Sequence, residues 1–342
     1  MISPALQSTV AALLAPGKGL LAADESFPTI ARRFAALNIP PTEENRRDYR
    51  ALLFATPGLG EAISGVILFD ETIRQSTRDG VPLAGVLRQQ GIMPGIKVDK
   101  GTVALAHFAG EKMTQGLDGL RDRLVEYRTL GARFTKWRAV ITIGDGRPTR
   151  ACLAANARML AMFAARSQEA GFVPIVEPEV LMDGAHSLAR CEEVTRVTLE
   201  CVFAALAEHR VVLETLLLKT GLVLAGKDGP PQAGAGEIAA ATLRCLRRAV
   251  PPAVPGIVFL SGGQSDVAAT ERLNAITALG GAPWTLSFSF GRALQDAALQ
   301  TWHGVPAHAA AAQAALQHRA RCNGLAVQGK YSAAAERAGP AG

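Results

Sequence analysis

Short apolar segments alternate with helical patterns along most of the chain, and this alternation limits the fold more than any other feature. Helix-like patterns separate eight segments that have the length and apolar content of buried strands. These segments span residues 19–24, 64–69, 95–100, 134–138, 173–179, 216–218, 256–260 and 284–288. Parallel strands need helical crossovers, and eight such units close into a barrel. The sequence therefore predicts an α/β fold, a (β/α)8 TIM barrel.

The length of 342 residues would also suit two average domains, but single barrels of this type reach the same size. No second sheet pattern is found. We therefore expect one barrel domain over residues 1–331. The sequence from Gly324 onward is rich in alanine and glycine, so residues 332–342 are expected to form a flexible tail.

Composition and charge exclude several classes of protein. Hydrophobic residues make up 49% of the chain and charged residues 19%, which is enough apolar material for a large core. The net charge of +6 is spread along the chain without a basic run, so nucleic acid is not an expected partner. The sequence shows neither a signal-peptide pattern nor an apolar stretch of about 18 residues, so we expect a cytoplasmic protein that does not span a membrane.

Cysteine and histidine spacing gives no sign of a disulfide framework or a metal site. The five cysteines are far apart and include no Cys-x-x-Cys pair, which is typical of reduced thiols in the cytosol. None of the six histidines pairs with a second ligand at a recognisable spacing. We therefore expect neither a metal ion nor a cofactor.

A lysine ends one of the apolar segments. Lys219 follows Leu216–Leu218, where a predicted strand meets a loop. Taken alone, such a lysine is more simply explained as reaching out to solvent, because lysines are rarely buried. However, the carboxyl ends of parallel strands are where ligands bind, and desolvation favours the neutral amine that can attack a carbonyl.

Other charged residues recur at the same end of the predicted strands. A barrel would direct toward one rim the side chains of Asp24, Lys97, Lys136, Arg138, Glu177, Glu179 and Lys219. Barrel interiors are usually filled by apolar side chains, so this many charges must form ion pairs or take part in chemistry. Cations and carboxylates around one lysine are also what a nucleophilic amine requires.

The loops after the seventh and eighth predicted strands have features of phosphate sites. Ser261 and Gly262 offer backbone N–H groups at a strand-to-helix turn, and Gly291 and Arg292 add a second turn and a guanidinium. A lone pair of glycines often serves only a turn. The two loops together, at the usual phosphate position of this fold, favour binding of a phosphorylated ligand.

Nine motifs resemble class I fructose-1,6-bisphosphate aldolase, in the same order, from about Ala15 to Tyr331. They are Leu21-Ala-Ala-Asp24-Glu-Ser26, Thr42-Glu-Glu-Asn-Arg-Arg47, Gly95-Ile-Lys-Val-Asp-Lys-Gly101, Thr114-Gln-Gly-Leu-Asp-Gly119, Lys136-Trp-Arg138, Val176-Glu-Pro-Glu179, Leu217-Leu-Lys219, Leu260-Ser-Gly-Gly-Gln-Ser265 and Ser289-Phe-Gly-Arg-Ala-Leu294. The resemblance implies a metal-independent lyase of glycolysis and gluconeogenesis. Such an enzyme cleaves fructose 1,6-bisphosphate into dihydroxyacetone phosphate and glyceraldehyde 3-phosphate. It also implies a homotetramer.

The resemblance implies a role for each candidate site residue. Lys219 matches the Schiff-base lysine, Glu177 the main general acid/base and Asp24 the acid near the C4 hydroxyl. Lys136 matches the cation that stabilises developing charge, and Glu179 the partner that orients it. The positions that match the C1-phosphate site are Ser261, Gly262, Gly291 and Arg292. Those that match the C6 end of the substrate are Ser26, Thr29, Lys97 and Arg138.

The sequence departs from the family pattern at three places. Phe27-Pro28 replaces the small residues usual after Ser26, which is expected to stiffen this loop, and Thr220-Gly221 follows Lys219 in place of Pro-Asn. The sequence ends in Ala341-Gly342, without the terminal tyrosine of animal members, so we expect enamine protonation to limit turnover.

Two alternatives stay open at the level of the sequence. One is a Schiff-base aldolase that prefers another phosphorylated ketose, such as fructose 1-phosphate or sedoheptulose bisphosphate. The other is a non-catalytic barrel that only binds anions. The complete set of Lys219, Glu177, Lys136 and Asp24 argues against the second, because charges in a barrel interior are costly unless they are used.

Overall fold

Eight parallel strands form a closed barrel, which confirms the predicted fold class. The structure is a computed structural model that describes residues 3–339. The barrel strands are β1 (Gly19–Ala23), β2 (Ile63–Leu68), β3 (Met93–Lys97), β6 (Phe134–Ile141), β7 (Val173–Val180), β8 (Leu217–Thr220), β9 (Gly256–Phe259) and β10 (Thr285–Phe290). Their order around the barrel is β1-β10-β9-β8-β7-β6-β3-β2.

Helices surround the barrel and connect its strands. They are α1 (Pro4–Leu13), α2 (Phe27–Ala35), α3 (Glu43–Phe54), α4 (Asp70–Arg74), α5 (Leu83–Gln89), α6 (Leu120–Thr129), α7 (Arg150–Glu169), α8 (Leu188–Glu208), α9 (Ala235–Ala249), α10 (Asp266–Leu279), α11 (Arg292–Trp302), α12 (Ala309–Val327) and α13 (Ala333–Arg337). Single 3₁₀ turns span Leu59–Glu61, Leu213–Thr215 and Pro306–His308. Within residues 3–339, no helix combines the length and apolarity needed to cross a membrane.

Side-chain caps fix where several of these helices begin. The hydroxyls of Thr42, Thr149, Ser187 and Ser265 each accept a hydrogen bond from the backbone N–H three residues later. Such a cap satisfies one of the N–H groups that a helix leaves unpaired at its start. The capped helices α3, α8 and α10 therefore begin where their sequence patterns predict.

An apolar layer lies one side-chain layer below the charged residues inside the barrel. Ala22, Phe134, Ile175 and Leu217 belong to one buried cluster, and each is followed two positions later by a charged residue on the same strand or, for Ala22, directly after it. Because side chains alternate between strand faces, each apolar residue and its charged successor point to the same side. Helix α1 packs onto this cluster through Leu6, Val10 and Leu13 and closes that end of the barrel. The charges therefore lie at the opposite, carboxyl end.

A small hairpin interrupts the third βα unit. Strands β4 (Thr102–Ala104) and β5 (Lys112–Thr114) pair antiparallel between β3 and α6. The sequence did not predict this hairpin, because each strand has only three residues and β4 is exposed, so neither carries the apolar pattern of a buried strand.

The end of the chain is more ordered than its composition suggested. Gly324 was expected to begin a flexible region, but α12 continues to Val327. A Cβ at Gly324 would lie 2.8 Å from the Gly17 carbonyl oxygen, so this glycine permits close packing. A further helix, α13, lies within the predicted tail, while residues 340–342, including the terminal Ala341-Gly342, lie outside the described residues. The division at residue 331 stays a prediction.

Candidate active site

Lys219 is a buried lysine inside the barrel. Lys219 is only 4% exposed. Its side chain points inward because Leu217, two residues earlier on the same strand, belongs to the interior cluster. The sequence placed Lys219 at the boundary between strand and loop. In the structure β8 continues through Thr220, whose carbonyl accepts a hydrogen bond from the Leu260 N–H. The Nζ atom of Lys219 lies 2.9 Å from Oε1 of Glu177 on the neighbouring strand β7.

Lys136 connects Glu177 to the carboxylate after β1. Its Nζ atom lies 3.0 Å from Glu177 Oε2 and 2.6 Å from Asp24 Oδ2. The result is a row of alternating charges, Lys219, Glu177, Lys136 and Asp24, that spans the barrel mouth. Charges at this depth are tolerated only when each has an opposite partner. The structure thus brings together the four residues predicted to carry the chemistry.

The surrounding charges keep both carboxylates ionised. Burial alone would raise the pKa of Asp24, but the ammonium groups of Lys136 and Lys219 outweigh it and lower the pKa to about 2. Burial likewise opposes ionisation of Glu177, whereas Lys136, Lys219 and Arg138 lower its pKa below the usual range. Burial acts to lower the pKa of Lys136, and the nearby carboxylates Asp24 and Glu177 raise it instead. Without a ligand, Lys136 is therefore a cation beside two ionised carboxylates.

Glu179 forms an ion pair with Arg138 and not with Lys136. The prediction that Glu179 orients Lys136 by direct contact is therefore wrong. Arg138 Nε lies 2.5 Å from Glu179 Oε2. In the β6–β7 register, Lys136 is level with Ile175, four residues before Glu179. Four residues of a strand extend about 13 Å, too far for direct contact. Burial favours loss of the Arg138 charge, but Glu179 and Glu177 outweigh it and raise the pKa of the guanidinium.

Asp99 contacts Lys97 and Arg138, two of the residues predicted to bind the C6 end of the substrate. Lys97 Nζ lies 2.6 Å from Asp99 Oδ1, and it also donates to the Asp99 carbonyl at 2.7 Å. The other carboxylate oxygen of Asp99 accepts from the Arg138 backbone N–H at 3.2 Å. Asp99 was not predicted as a site residue, although its place shortly after a strand end matches that of Asp24.

Ser26 and Thr29, also predicted for the C6 end, lie together at the start of α2. Their hydroxyl oxygens are 3.2 Å apart, and Ser26 is the residue that precedes the helix. Two hydroxyls grouped at the start of a helix suit an anion, because both can donate hydrogen bonds to it at the positive end of the helix dipole. These two residues lie on the loop that begins with Asp24.

The two predicted phosphate loops lie side by side. Gly262 and Gly263 adopt left-handed conformations, with φ of 54° and 89°, which side chains rarely allow. A Cβ at Gly263 would lie 3.4 Å from Nη2 of Arg292, so this guanidinium borders the Ser261–Gly263 loop. Gly291 directly precedes α11, whose first residue is Arg292. Helix N–H groups, a glycine turn and a guanidinium therefore converge, as phosphate recognition requires.

The family-model comparison decides which family the chain belongs to. The model for fructose-bisphosphate aldolase class-I matches residues 5–341. The chain belongs to the class I fructose-bisphosphate aldolase family. A probable class 1 aldolase from Xanthomonas campestris pv. campestris is 55% identical over 327 residues, which cover 95% of this chain and 98% of the relative. Fructose-bisphosphate aldolase 1 of Toxoplasma gondii is 51% identical over 325 residues, which cover 94% of this chain and 90% of the relative.

A solved aldolase structure has the same architecture. The aldolase of Plasmodium falciparum, in complex with TRAP and a small-molecule inhibitor, superposes with a TM-score of 0.95 at 49% identity. The match covers 96% of this chain and 95% of that one. The family model and these relatives confirm the family resemblance found in the motifs. Class I aldolases are lyases that act through a lysine Schiff base.

The structure shows how Phe27 and Pro28, which depart from the aldolase pattern, are packed. Pro28 lies in the first turn of α2, where its fixed φ suits a helix and its missing N–H is not needed. The Phe27 ring is 49% exposed, packs edge-on against Phe69 at 5.2 Å between ring centroids, and has the Arg46 guanidinium 4.8 Å above it. Aromatic and cation–π contacts thus hold the start of α2 in this aldolase.

Ser289 is a residue of the aldolase barrel to which the sequence assigned no role. Its side chain is buried, and its hydroxyl has no hydrogen-bond partner among the described residues. Ser289 lies on β10 beside Leu20, a residue of the interior cluster, while Phe288 and Phe290 pack into the core outside the barrel, so Ser289 faces the barrel interior. A buried hydroxyl without a partner is costly unless a ligand or water satisfies it. The sequence alone could not show that this hydroxyl has no hydrogen-bond partner among the described residues.

Proposed function

We propose that this chain catalyses the reversible cleavage of fructose 1,6-bisphosphate into dihydroxyacetone phosphate and glyceraldehyde 3-phosphate through a Schiff base on Lys219. The observation that carries the proposal is the 2.9 Å contact of Lys219 Nζ with Glu177, which Lys136 links to Asp24. The proposal includes a metal-independent reaction and a cytoplasmic homotetramer. The homotetramer rests on the family resemblance alone, and the cytoplasmic location rests on the wide spacing of the five cysteines.

Glu177 is placed to serve the formation of the imine. The Lys219 nitrogen attacks C2 of the ketose, and the resulting alkoxide takes a proton to give a carbinolamine. Loss of water then requires an acid at that oxygen, and a carboxyl that contacts the nitrogen lies within reach of it. Because Glu177 already contacts Lys219, it can receive the amine proton and return it to the departing hydroxyl.

Asp24 and Glu177 are both candidates to remove the C4 hydroxyl proton. When that proton leaves, the C3–C4 bond breaks, its electrons pass into the iminium, and the aldehyde departs while an enamine remains on Lys219. The low pKa of Asp24, about 2, keeps it ionised at neutral pH. Lys136 contacts both carboxylates and stabilises the negative charge that develops between them.

Two sets of residues fit the two phosphates. Ser261, Gly262, Gly291 and Arg292 would hold the C1 phosphate through backbone N–H groups and one guanidinium. At the other end, Ser26, Thr29, Lys97 and Arg138 are the candidates for the C6 phosphate. Lys97 and Arg138 are each paired with a carboxylate, so they would have to share or exchange those partners when a phosphate binds.

A cleavage assay with matched lysine variants tests the function. Lys219→Met should reduce kcat on fructose 1,6-bisphosphate on the order of 10⁴-fold or more, because the covalent route is lost. Lys227→Met removes a 55% exposed lysine that pairs with Asp183, and it should leave kcat unchanged. A chelator should not affect the wild-type rate. Equal activity of the two variants would overturn the proposal.

A related aldolase activity on a monophosphate ketose is the second candidate, and the paired state of Lys97 and Arg138 favours it. Cations that are already neutralised bind an additional phosphate less strongly. Arg138→Met separates the two possibilities. If the bisphosphate is the substrate, the variant should lower kcat/KM for fructose 1,6-bisphosphate by about tenfold or more and leave kcat/KM for fructose 1-phosphate nearly unchanged. An equal change for both ketoses would favour the monophosphate.

A further inference from the structure

Three potential metal ligands come together far along the chain from the candidate active-site residues. His318 and Cys322 lie one turn apart on α12, and Glu336 lies on α13. One ligand atom from each residue lies within 4.8 Å of the other two. Sequence spacing alone missed this group because the third member joins only when α13 folds back against α12.

The distances nearly match a tetrahedral zinc site. His318 Nε2 is 3.7 Å from Cys322 Sγ and 4.0 Å from Glu336 Oε1. Ligand atoms of a tetrahedral zinc with the usual bond lengths are about 3.3–3.6 Å apart. The pair on α12 already has nearly this spacing, since residues i and i+4 share one helix face. The Glu336 carboxylate oxygen, 4.0 Å from His318 Nε2, would have to move toward the other two ligands to complete the set.

Neighbouring residues hold Glu336 in position. Tyr331 donates a hydrogen bond from its hydroxyl to Glu336 Oε2 at 2.7 Å, and Arg319 contacts Glu336 Oε1. A carboxylate has about four lone-pair sites, so Oε1 can accept from Arg319 and still bind a cation. Second-sphere contacts of this kind orient the ligands of metal sites.

Cys322 supplies the soft ligand that distinguishes this cluster from an ordinary ion pair. The residue is 1% exposed, and its Sγ atom lies 3.7 Å from His318 Nε2. Zinc binding would displace the thiol proton, and the thiolate and carboxylate together would offset the charge of the ion. The Ala335 carbonyl oxygen, 3.8 Å from Cys322 Sγ, is near enough to offer a fourth ligand.

We propose that His318, Cys322 and Glu336 bind a zinc ion that joins α13 to α12. The ion has a structural role: none of its ligands belongs to the set around Lys219, and the aldol reaction does not use it. Its effect is to tie the last described helix to the barrel. The proposal is independent of the proposed catalytic function.

Zinc titration of the full chain, stripped of metals, tests the proposal directly. We expect one Zn²⁺ per chain, and Co²⁺ in its place should show a thiolate-to-metal absorption band. Cys322→Ala and His318→Ala should weaken binding by about 100-fold or more. The matched controls Cys201→Ala, half-buried on α8, and His308→Ala, exposed before α12, should bind as the wild type does.

Two results would overturn the site. One is the absence of both stoichiometric Zn²⁺ binding and the cobalt–thiolate band in the wild-type chain, which needs no variant and so does not depend on variant folding. The other is a Cys322→Ala variant that binds Zn²⁺ as tightly as Cys201→Ala does. If binding is lost in the ligand variants while cleavage of fructose 1,6-bisphosphate continues, the metal is structural as proposed.

Discussion

At the scale of single residues, the candidate site depends on ionised groups that hold one another in place. Lys136 touches both Asp24 and Glu177, and Glu177 touches Lys219, so removal of one charge leaves its neighbour buried without a partner. Leaving a buried charge unpaired is more costly than losing the pair itself. Substitutions here will therefore affect stability and chemistry together, and controls must separate the two.

Glu177→Gln keeps the shape of the side chain but removes the acid/base. We expect kcat to fall by about 10²–10⁴-fold, the usual contribution of a positioned proton donor. Steady-state cleavage of fructose 1,6-bisphosphate measures the change, and Glu193→Gln, which alters a 57% exposed carboxylate on α8, is the control. A kcat within about twofold of the wild type would show that another group carries the proton.

Asp24 predicts a pH dependence of stability. Its folded-state pKa of about 2 lies below the ordinary value of 3.8, so the ionised form stabilises the fold above pH 3.8. This contribution, roughly 2 kcal/mol, is lost as the pH falls through the folded-state pKa. Urea unfolding between pH 5 and about pH 2 should therefore show the wild type losing more stability than Asp24→Asn. Parallel losses in the two proteins would contradict it.

At the scale of elements, strand register and close packing decide what the sequence pattern leaves open. The period of two along β6 and β7 predicted that Lys136, Glu177 and Glu179 face the barrel interior. It did not predict that Glu179 would meet Arg138, because that contact depends on how the two strands are aligned. The β4–β5 hairpin and the return of α13 to α12 were also beyond the pattern, since short exposed elements carry little periodicity.

Replacing a helical glycine by alanine should have opposite effects on stability at two positions. Gly324→Ala should destabilise the protein by about 1–3 kcal/mol, because the new Cβ would meet the Gly17 carbonyl oxygen at 2.8 Å. Gly236→Ala on α9 meets no atom within 4 Å and should stabilise by up to about 1 kcal/mol through helix propensity. Urea unfolding of both variants tests the packing of α12. If Gly324→Ala proved more stable than the wild type, α12 would not pack closely against the Gly17 backbone.

At the scale of the whole molecule, the sequence predicted the architecture and the central charges for one physical reason. Parallel strands of a closed barrel bring their carboxyl ends to one rim, so polar residues that follow apolar runs must meet there. Lys219, Glu177, Lys136 and Asp24 could therefore be grouped without knowing any distance. Partners that depend on side-chain reach, such as Asp99 for Lys97, required the structure.

If Lys219 forms the Schiff base, the imine can be trapped on this lysine by reduction. The wild-type chain is incubated with dihydroxyacetone phosphate and a chelator, reduced with borohydride, digested and examined by peptide mass. We expect a stable adduct on Lys219, retained in Lys227→Met and absent in Lys219→Met. An adduct confined to another lysine, or none in the folded wild-type protein, would contradict it.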